Sequence, residues 1–154
     1  LEATFVVNII RPFSSNRQNE ITAAPKVYGF DTGFACYYRG WNELRSEDMG
    51  HMWEHFVLNE IHARRQARDV MYWRDKQAHE IDFVINRRGR GHAAVECKWR
   101  SEDFDPSNMR VFLRHHGKVE PYVIAHDVEK PYNRRYGDFT VRFLNIRDIE
   151  TICC

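Results

Sequence analysis

Two alternating runs joined by a short glycine- and arginine-rich turn constrain this chain more than any other feature. "HEIDFVIN" (residues 79–86) and "HAAVECKW" (residues 92–99) flank "RRGRG". Glycines there permit the positive φ that a tight hairpin demands, so the two runs are expected to pair as antiparallel strands. Side chains alternate faces along a strand. Ile81, Phe83 and Ile85 therefore share one face, with Glu80, Asp82 and Val84 on the other. In the second run Val95, Cys97 and Trp99 oppose Ala94, Glu96 and Lys98. If the apolar faces align, Asp82, Glu96 and Lys98 gather on one side of the sheet, and small Ala94 leaves room beside them.

An E-x-K in a strand is, taken alone, the solvated face of a hairpin with an exposed ion pair worth little. Its setting argues otherwise. From Glu47 to about Arg68 the pattern is helical, with Met49, Trp53, Phe56, Val57 and Ile61 on one stripe. Glu60 projects from the middle of that stripe, Glu54 lies on its margin, and His51 and His55 point away from it. "FDPSNMRVFLRHHG" reads as a second helix, with Asp105 as N-cap, Pro106 in the first turn and Gly117 as the C-terminal cap. A sheet covered by helices on both sides buries its carboxylates. Buried carboxylates need a cation, and a hard divalent ion with oxygen ligands is a ready partner.

The remaining elements complete an α/β chain, a mixed β-sheet flanked by helices. Residues 2–10 and "KVYGF" (26–30) read as a hairpin with a polar loop between them. Asp31 or Thr32 caps a short helix into "FACYYRGW", a reading preferred over an aspartic-protease D-T-G because only one copy is present. "VMYW" (70–73), "PYVIAH" (121–126) and "FTVRFLNI" (139–146) are further strands, "HDVEKPYN" is a loop, and "RDIETI" is a terminal helix.

Composition narrows the function classes. The net charge is +1 with histidines neutral, which argues against strong non-specific nucleic-acid binding through charge. Arg87, Arg88 and Arg90 form one local basic cluster, read as a solvated turn. Four cysteines, Cys36, Cys97, Cys153 and Cys154, show no C-x-x-C pair and suit a reducing cytoplasm. The longest apolar runs are too short to span a bilayer, and no secretory signal pattern opens the chain. Its abrupt start on a strand-like run suggests a piece of a longer polypeptide.

Helix carboxylate, then Asp, then E-x-K on a hairpin: this layout resembles the PD-(D/E)XK nuclease superfamily. More narrowly, "KVYGFDTGF", "GHMWEHFVLNEI", "YWRDKQAHEIDFVI" and "AVECKW" resemble the C-terminal domain, of unknown function, of prokaryotic AAA-type ATPases. The resemblance covers nearly the whole chain, and its motifs are specific as an ordered set. It implies a restriction-endonuclease-like core over residues 31–154, with residues 1–30 as the trailing hairpin of a winged-helix segment. It also implies an upstream ATPase module, but no family-wide substrate; DNA and a second copy of the chain are the candidate partners, and no membrane partner is expected. The nuclease-type site maps to Glu54, Asp82, Glu96 and Lys98. Mg²⁺ or Mn²⁺ would be held by Asp82 and Glu96 with Glu54, and Lys98 would orient water or balance charge. Ile81 stands where the superfamily name has proline. The family pattern carries glutamates at both 54 and 60, so Glu60 competes with Glu54, unless it pairs with Arg64 one turn on.

Three functions follow: a metal-dependent DNA hydrolase, a non-catalytic nucleic-acid-binding or assembly module of the ATPase, and a zinc peptidase. The last rests on H-x-x-E-H at His51, Glu54 and His55. It needs a distant third ligand, for which Glu129 is the one considered, and the two histidines read instead as surface residues.

Overall fold

The central hairpin forms where its alternation and glycines place it. In a computed structural model describing residues 6–13, 24–64 and 69–153, β4 (Glu80–Arg87) and β5 (Gly91–Lys98) pair antiparallel from Phe83↔Val95 to Arg87↔Gly91. Gly89 and Gly91 adopt φ of +78° and +83°. Gly91 is required twice over, because a Cβ there would lie 2.2 Å from the Lys118 carbonyl oxygen.

Around this hairpin the described residues build one eight-stranded mixed sheet, ordered β2-β1-β3-β4-β5-β6-β8-β7. β1 (Val7–Pro12) and β2 (Lys26–Gly29) form an antiparallel pair, and β1 joins β3 (Val70–Arg74) in parallel. β6 (Val119–Ala125) runs parallel to β5 and to β8 (Phe139–Leu144), whose outer neighbour is β7 (Tyr132–Tyr136). The helices are α1 (Thr32–Tyr38), α2 (Met49–Arg64), α3 (Pro106–His115) and α4 (Glu150–Cys153). The mixed sheet with flanking helices matches expectation. Expected positions 2–5 of the first strand, 65–68 of the long helix and Cys154 lie outside the described residues. No helix among the described residues is long and apolar enough to cross a membrane.

Both faces of the sheet are covered. Trp53, Val57, Leu58 and Ile61 of α2, with Ile152 of α4, pack on Phe83, Ile85, Val95 and Ile124. Met109 and Phe112 of α3 pack on Val84, Ala94, Val123 and Phe143 across the sheet. Truncating a fully buried member such as Leu58 or Phe112 to Ala costs about 3–5 kcal/mol in cores of this kind. Asp31 caps α1, accepting from the Phe34 N–H at 2.8 Å, and Asp105 caps α3, accepting from Ser107 at 2.9 Å. Both caps are as read from the sequence.

Several expectations are corrected. Ile81 packs with the α3-side cluster, opposite Phe83 and Ile85. The cause is a register shift: Met71 pairs with Val84 but Trp73 with Ile81, so β4 carries one extra residue, a bulge that breaks the alternation. Phe56 is 37% exposed, and Met52 and Leu58 are buried instead. Gly117 does not end α3 with positive φ; Lys118 takes the left-handed conformation, at +55°. Arg87 is not part of a solvated turn. It is 1% exposed and pairs with Glu120 at 3.1 Å, while its Nη1 donates to the Tyr122 hydroxyl. Part of the "HDVEKPYN" loop belongs to β7, an exposed strand whose "YNRRY" lacks apolar alternation. Charged side chains on an edge strand oppose its pairing with other chains.

Candidate functional site

Two adjacent residues of α2 dock that helix on β2. Lys26 and Tyr28 are two apart, so they share a face of the strand. The Tyr28 hydroxyl donates to Glu54 Oε1 at 2.5 Å, and Lys26 Nζ donates to the same oxygen at 3.2 Å. Lys26 also pairs with Glu80, which in turn holds Arg74. At the next helix position, His55 Nε2 bonds the Gly29 carbonyl oxygen at 2.7 Å, and its ring meets Tyr28 edge-on at 5.7 Å.

Asp82 sits in the bulge, beyond the last recorded β4–β5 pair. There its Oδ2 accepts the Cys97 backbone N–H at 2.8 Å, so the side chain takes up a donor of the neighbouring strand. Lys98 Nζ lies 3.0 Å from Glu96 Oε2. The other Glu96 oxygen, Oε1, is buried with no hydrogen-bond partner among the described residues. A cleft of about 560 Å³ opens over these strands, and Glu54, Asp82 and Lys98 line it together. Four carboxylates on its wall (Glu47, Glu54, Asp82, Asp103) outnumber two cations (Lys98, Arg100).

Burial, before any one charge, is the largest influence on the proton affinities of these groups. Burial pushes the Asp82 carboxyl well above the usual carboxylate range, and the charges of Glu96 and Glu54 push it further, against Lys98 and the Cys97 N–H. Burial raises Glu96 as well, although Lys98 opposes it. For Lys98 burial works downward, but Glu96 and Asp82 outweigh it and the ammonium is stabilised. Lys26 behaves alike: desolvation is overcome by Glu54 and Glu80. Burial and Glu54 raise the Tyr28 phenol. Cys97 is raised by burial, then by Asp82, so it is no thiolate nucleophile.

Of the residues singled out in the sequence, Glu54, Asp82 and Lys98 thus meet in one cleft, and Glu96 lies beside them through Lys98. Glu60 does not join them; it forms the expected pair with Arg64. His51 is exposed as expected, with Nε2 3.1 Å from an Arg39 nitrogen. His55 corrects the reading of both histidines as surface residues: it is 3% exposed, because α2 turns that side toward β2. Glu129 lies exposed in the bend between β6 and β7. Among the described residues, no three His, Cys, Asp or Glu side chains are grouped closely enough to form a metal cage by themselves. Lys26 and Tyr28 were missed. Their two-residue spacing was the one available signal, and nothing local links them to a helix 26 and 28 residues away.

Known proteins resemble this chain as follows. The uncharacterized proteins Mb2031c of Mycobacterium bovis and Rv2008c of Mycobacterium tuberculosis are each 30% identical to it over 117 residues, 73% of this chain and 26% of theirs. The chain therefore spans about a quarter of the length of these curated relatives. A solved structure described as "Refined half-complex from tetradecameric assembly of Thermococcus gammatolerans McrB AAA+ hexamers with bound McrC" is similar at 14% identity and a TM-score of 0.40, over 63% of this chain and 28% of that one. Residues 49–148, from the first residue of α2 to just before α4, match the family described as "Domain of unknown function (DUF4143)", and the chain belongs to that family.

Proposed function

We propose that the cleft is a metal-dependent phosphodiesterase site acting on DNA, in the C-terminal domain of an AAA-type ATPase. The observation that carries the reading is the meeting of Glu54, Asp82 and Lys98 on one cleft wall, with Glu96 behind Lys98. The donor chemistry suits a hard divalent cation. Asp82 and Glu96 are both penalised as bare carboxylates, and Glu96 Oε1 has no hydrogen-bond partner among the described residues. Mg²⁺ typically takes one or two protein carboxylates and completes its shell with water and substrate phosphate oxygens, so a closed cage of three acids is not required. Asp82 and Glu96, with Glu54, would hold the ion. When bound, it supplies the positive charge that polarises a phosphodiester and lowers the pKa of water.

The chain's own residues do the rest. Lys98 is anchored through Glu96 and keeps N–H donors for the attacking water or a phosphate oxygen. Its stabilised ammonium stays charged at neutral pH, where charge on the phosphorane needs compensation. The two-acid excess of the cleft repels nucleic acid until a cation enters, so DNA binding is expected to require the metal. The ATPase assignment is supported by the ordered motifs described above, and the curated relatives are long enough to carry such a module. Residues 1–30 remain assigned to a winged-helix tail and 31–154 to the nuclease-like domain, although β2 contributes to the site.

The test is Mg²⁺- or Mn²⁺-dependent cleavage of plasmid DNA by the purified chain, with Asp82→Ala and Lys98→Ala alongside, each checked for folding. Loss of cleavage in both supports the reading; an Asp82→Ala variant that cuts as well as wild type would sink it. A non-catalytic assembly module is the second reading, favoured by that same acid excess. Calorimetry showing no heat with Mn²⁺ would select it.

A further inference from the structure

We infer that β2 is the second half of this site, with Tyr28 and Lys26 acting as positioning residues for the Glu54 carboxylate. The inference rests on the phosphodiesterase reading above and adds two residues from outside the nuclease-type motif. A glutamate projecting from a helix margin has several rotamers, and only some of them place its carboxylate in the cleft. Here Oε1 is fixed by two donors from one strand face, the Tyr28 hydroxyl at 2.5 Å and Lys26 Nζ at 3.2 Å. Both donors engage Oε1 rather than Oε2.

The donors are themselves held. Tyr28 is 6% exposed and packs edge-on against His55 and obliquely against Phe83. Lys26 is tied to Glu80, and Glu80 to Arg74. His55 to Gly29 sets the helix against the strand at the adjacent position, so the strand locks both the side chain and the register of its helix. The sequence offers Glu54 and Glu60 as helix carboxylates; the clamp selects Glu54, since Glu60 is engaged by Arg64. Lys26 also supplies a second ammonium beside the acids, paired with both Glu54 and Glu80. Outer partners of this kind orient a ligand and set its charge, and their loss typically costs about 10–100-fold in metal affinity or activity.

The experiment compares wild type, Tyr28→Phe, Lys26→Met and Lys26→Arg by Mn²⁺ calorimetry and by steady-state DNA cleavage. Tyr28→Phe keeps the ring packing and deletes only the hydroxyl. Expected are a kcat lowered at least about tenfold with KM within about twofold, and weaker Mn²⁺ binding. Lys26→Arg should recover part of what Lys26→Met loses. A purely structural role would lower Tm without this split in kcat and KM. If wild type binds Mn²⁺ and cuts DNA while Tyr28→Phe and Lys26→Met match it in kcat and Mn²⁺ affinity, the positioning role is overturned and the site reading stands. A wild type that neither binds Mn²⁺ nor cuts overturns both.

Discussion

Asp82 Oδ2 accepts the Cys97 backbone N–H at 2.8 Å, joining β4 to β5 through a side chain where the recorded ladder has ended. One carboxylate therefore serves as a structural link and as an acid of the cleft whose charge is penalised by desolvation. The two roles pull apart under mutation.

Asp82→Asn can keep the bond to Cys97 through its amide oxygen while removing the buried charge. It is expected to raise stability at neutral pH by about 1 kcal/mol, and to abolish cleavage. The sign follows from linkage. The folded pKa of Asp82 is raised, so the folded state binds its proton more tightly and wild-type stability falls as pH rises from the ordinary carboxylate range through the folded pKa. The advantage of Asp82→Asn should thus vanish at acid pH, grow across that window and then level off. Thermal unfolding of both proteins across a pH series measures it; a pH-independent difference contradicts the assignment.

Lys98→Met should leave the Glu96 carboxylate, 4% exposed, without its cation. Breaking one side of a buried pair costs about 3–5 kcal/mol, whereas replacing both sides can be near neutral. Adding Glu96→Gln to Lys98→Met is therefore expected to restore most of the loss in urea unfolding. Additive losses would show that the two groups do not interact.

His55→Ala should destabilise by about 2 kcal/mol, because it strands the Gly29 carbonyl and opens a gap beside Tyr28. His51→Ala, at an exposed position, should stay within about 0.5 kcal/mol of wild type. If the pair held zinc instead, both substitutions and a chelator would lower Tm together.

Gly91→Ala should cost more than about 3 kcal/mol, combining a positive φ with a Cβ driven against the Lys118 carbonyl. Gly89→Ala has positive φ but open space around it, and should cost about 1 kcal/mol. Equal losses at the two positions would show that the approach of β6 to the hairpin is looser than described.

The legible parts of this protein are those written in short-range chemistry. Residues 79–99 specify a hairpin through alternation and glycine, and "DPS" specifies a helix start through capping geometry. The E-x-K spacing puts Glu96 and Lys98 on one side of β5 whatever else the chain does. Glu60 and Arg64 likewise meet because four residues make about one helical turn.

Tertiary structure decided what depends on partners distant in sequence. Strand alternation cannot reveal the extra residue in β4, because only the pairing with β3 exposes it, and that bulge sends Ile81 to the far side of the sheet. "YNRRY" has no apolar period, so β7 exists only through its ladder with β8. Arg87 and His55 are buried because Glu120, Tyr122 and Gly29 come to meet them. Glu54 is placed in the same way. Helix geometry puts Glu60 nearer the middle of the buried stripe, yet Glu60 pairs with Arg64. Glu54 instead lines the cleft and accepts from Tyr28 and Lys26, partners distant in sequence.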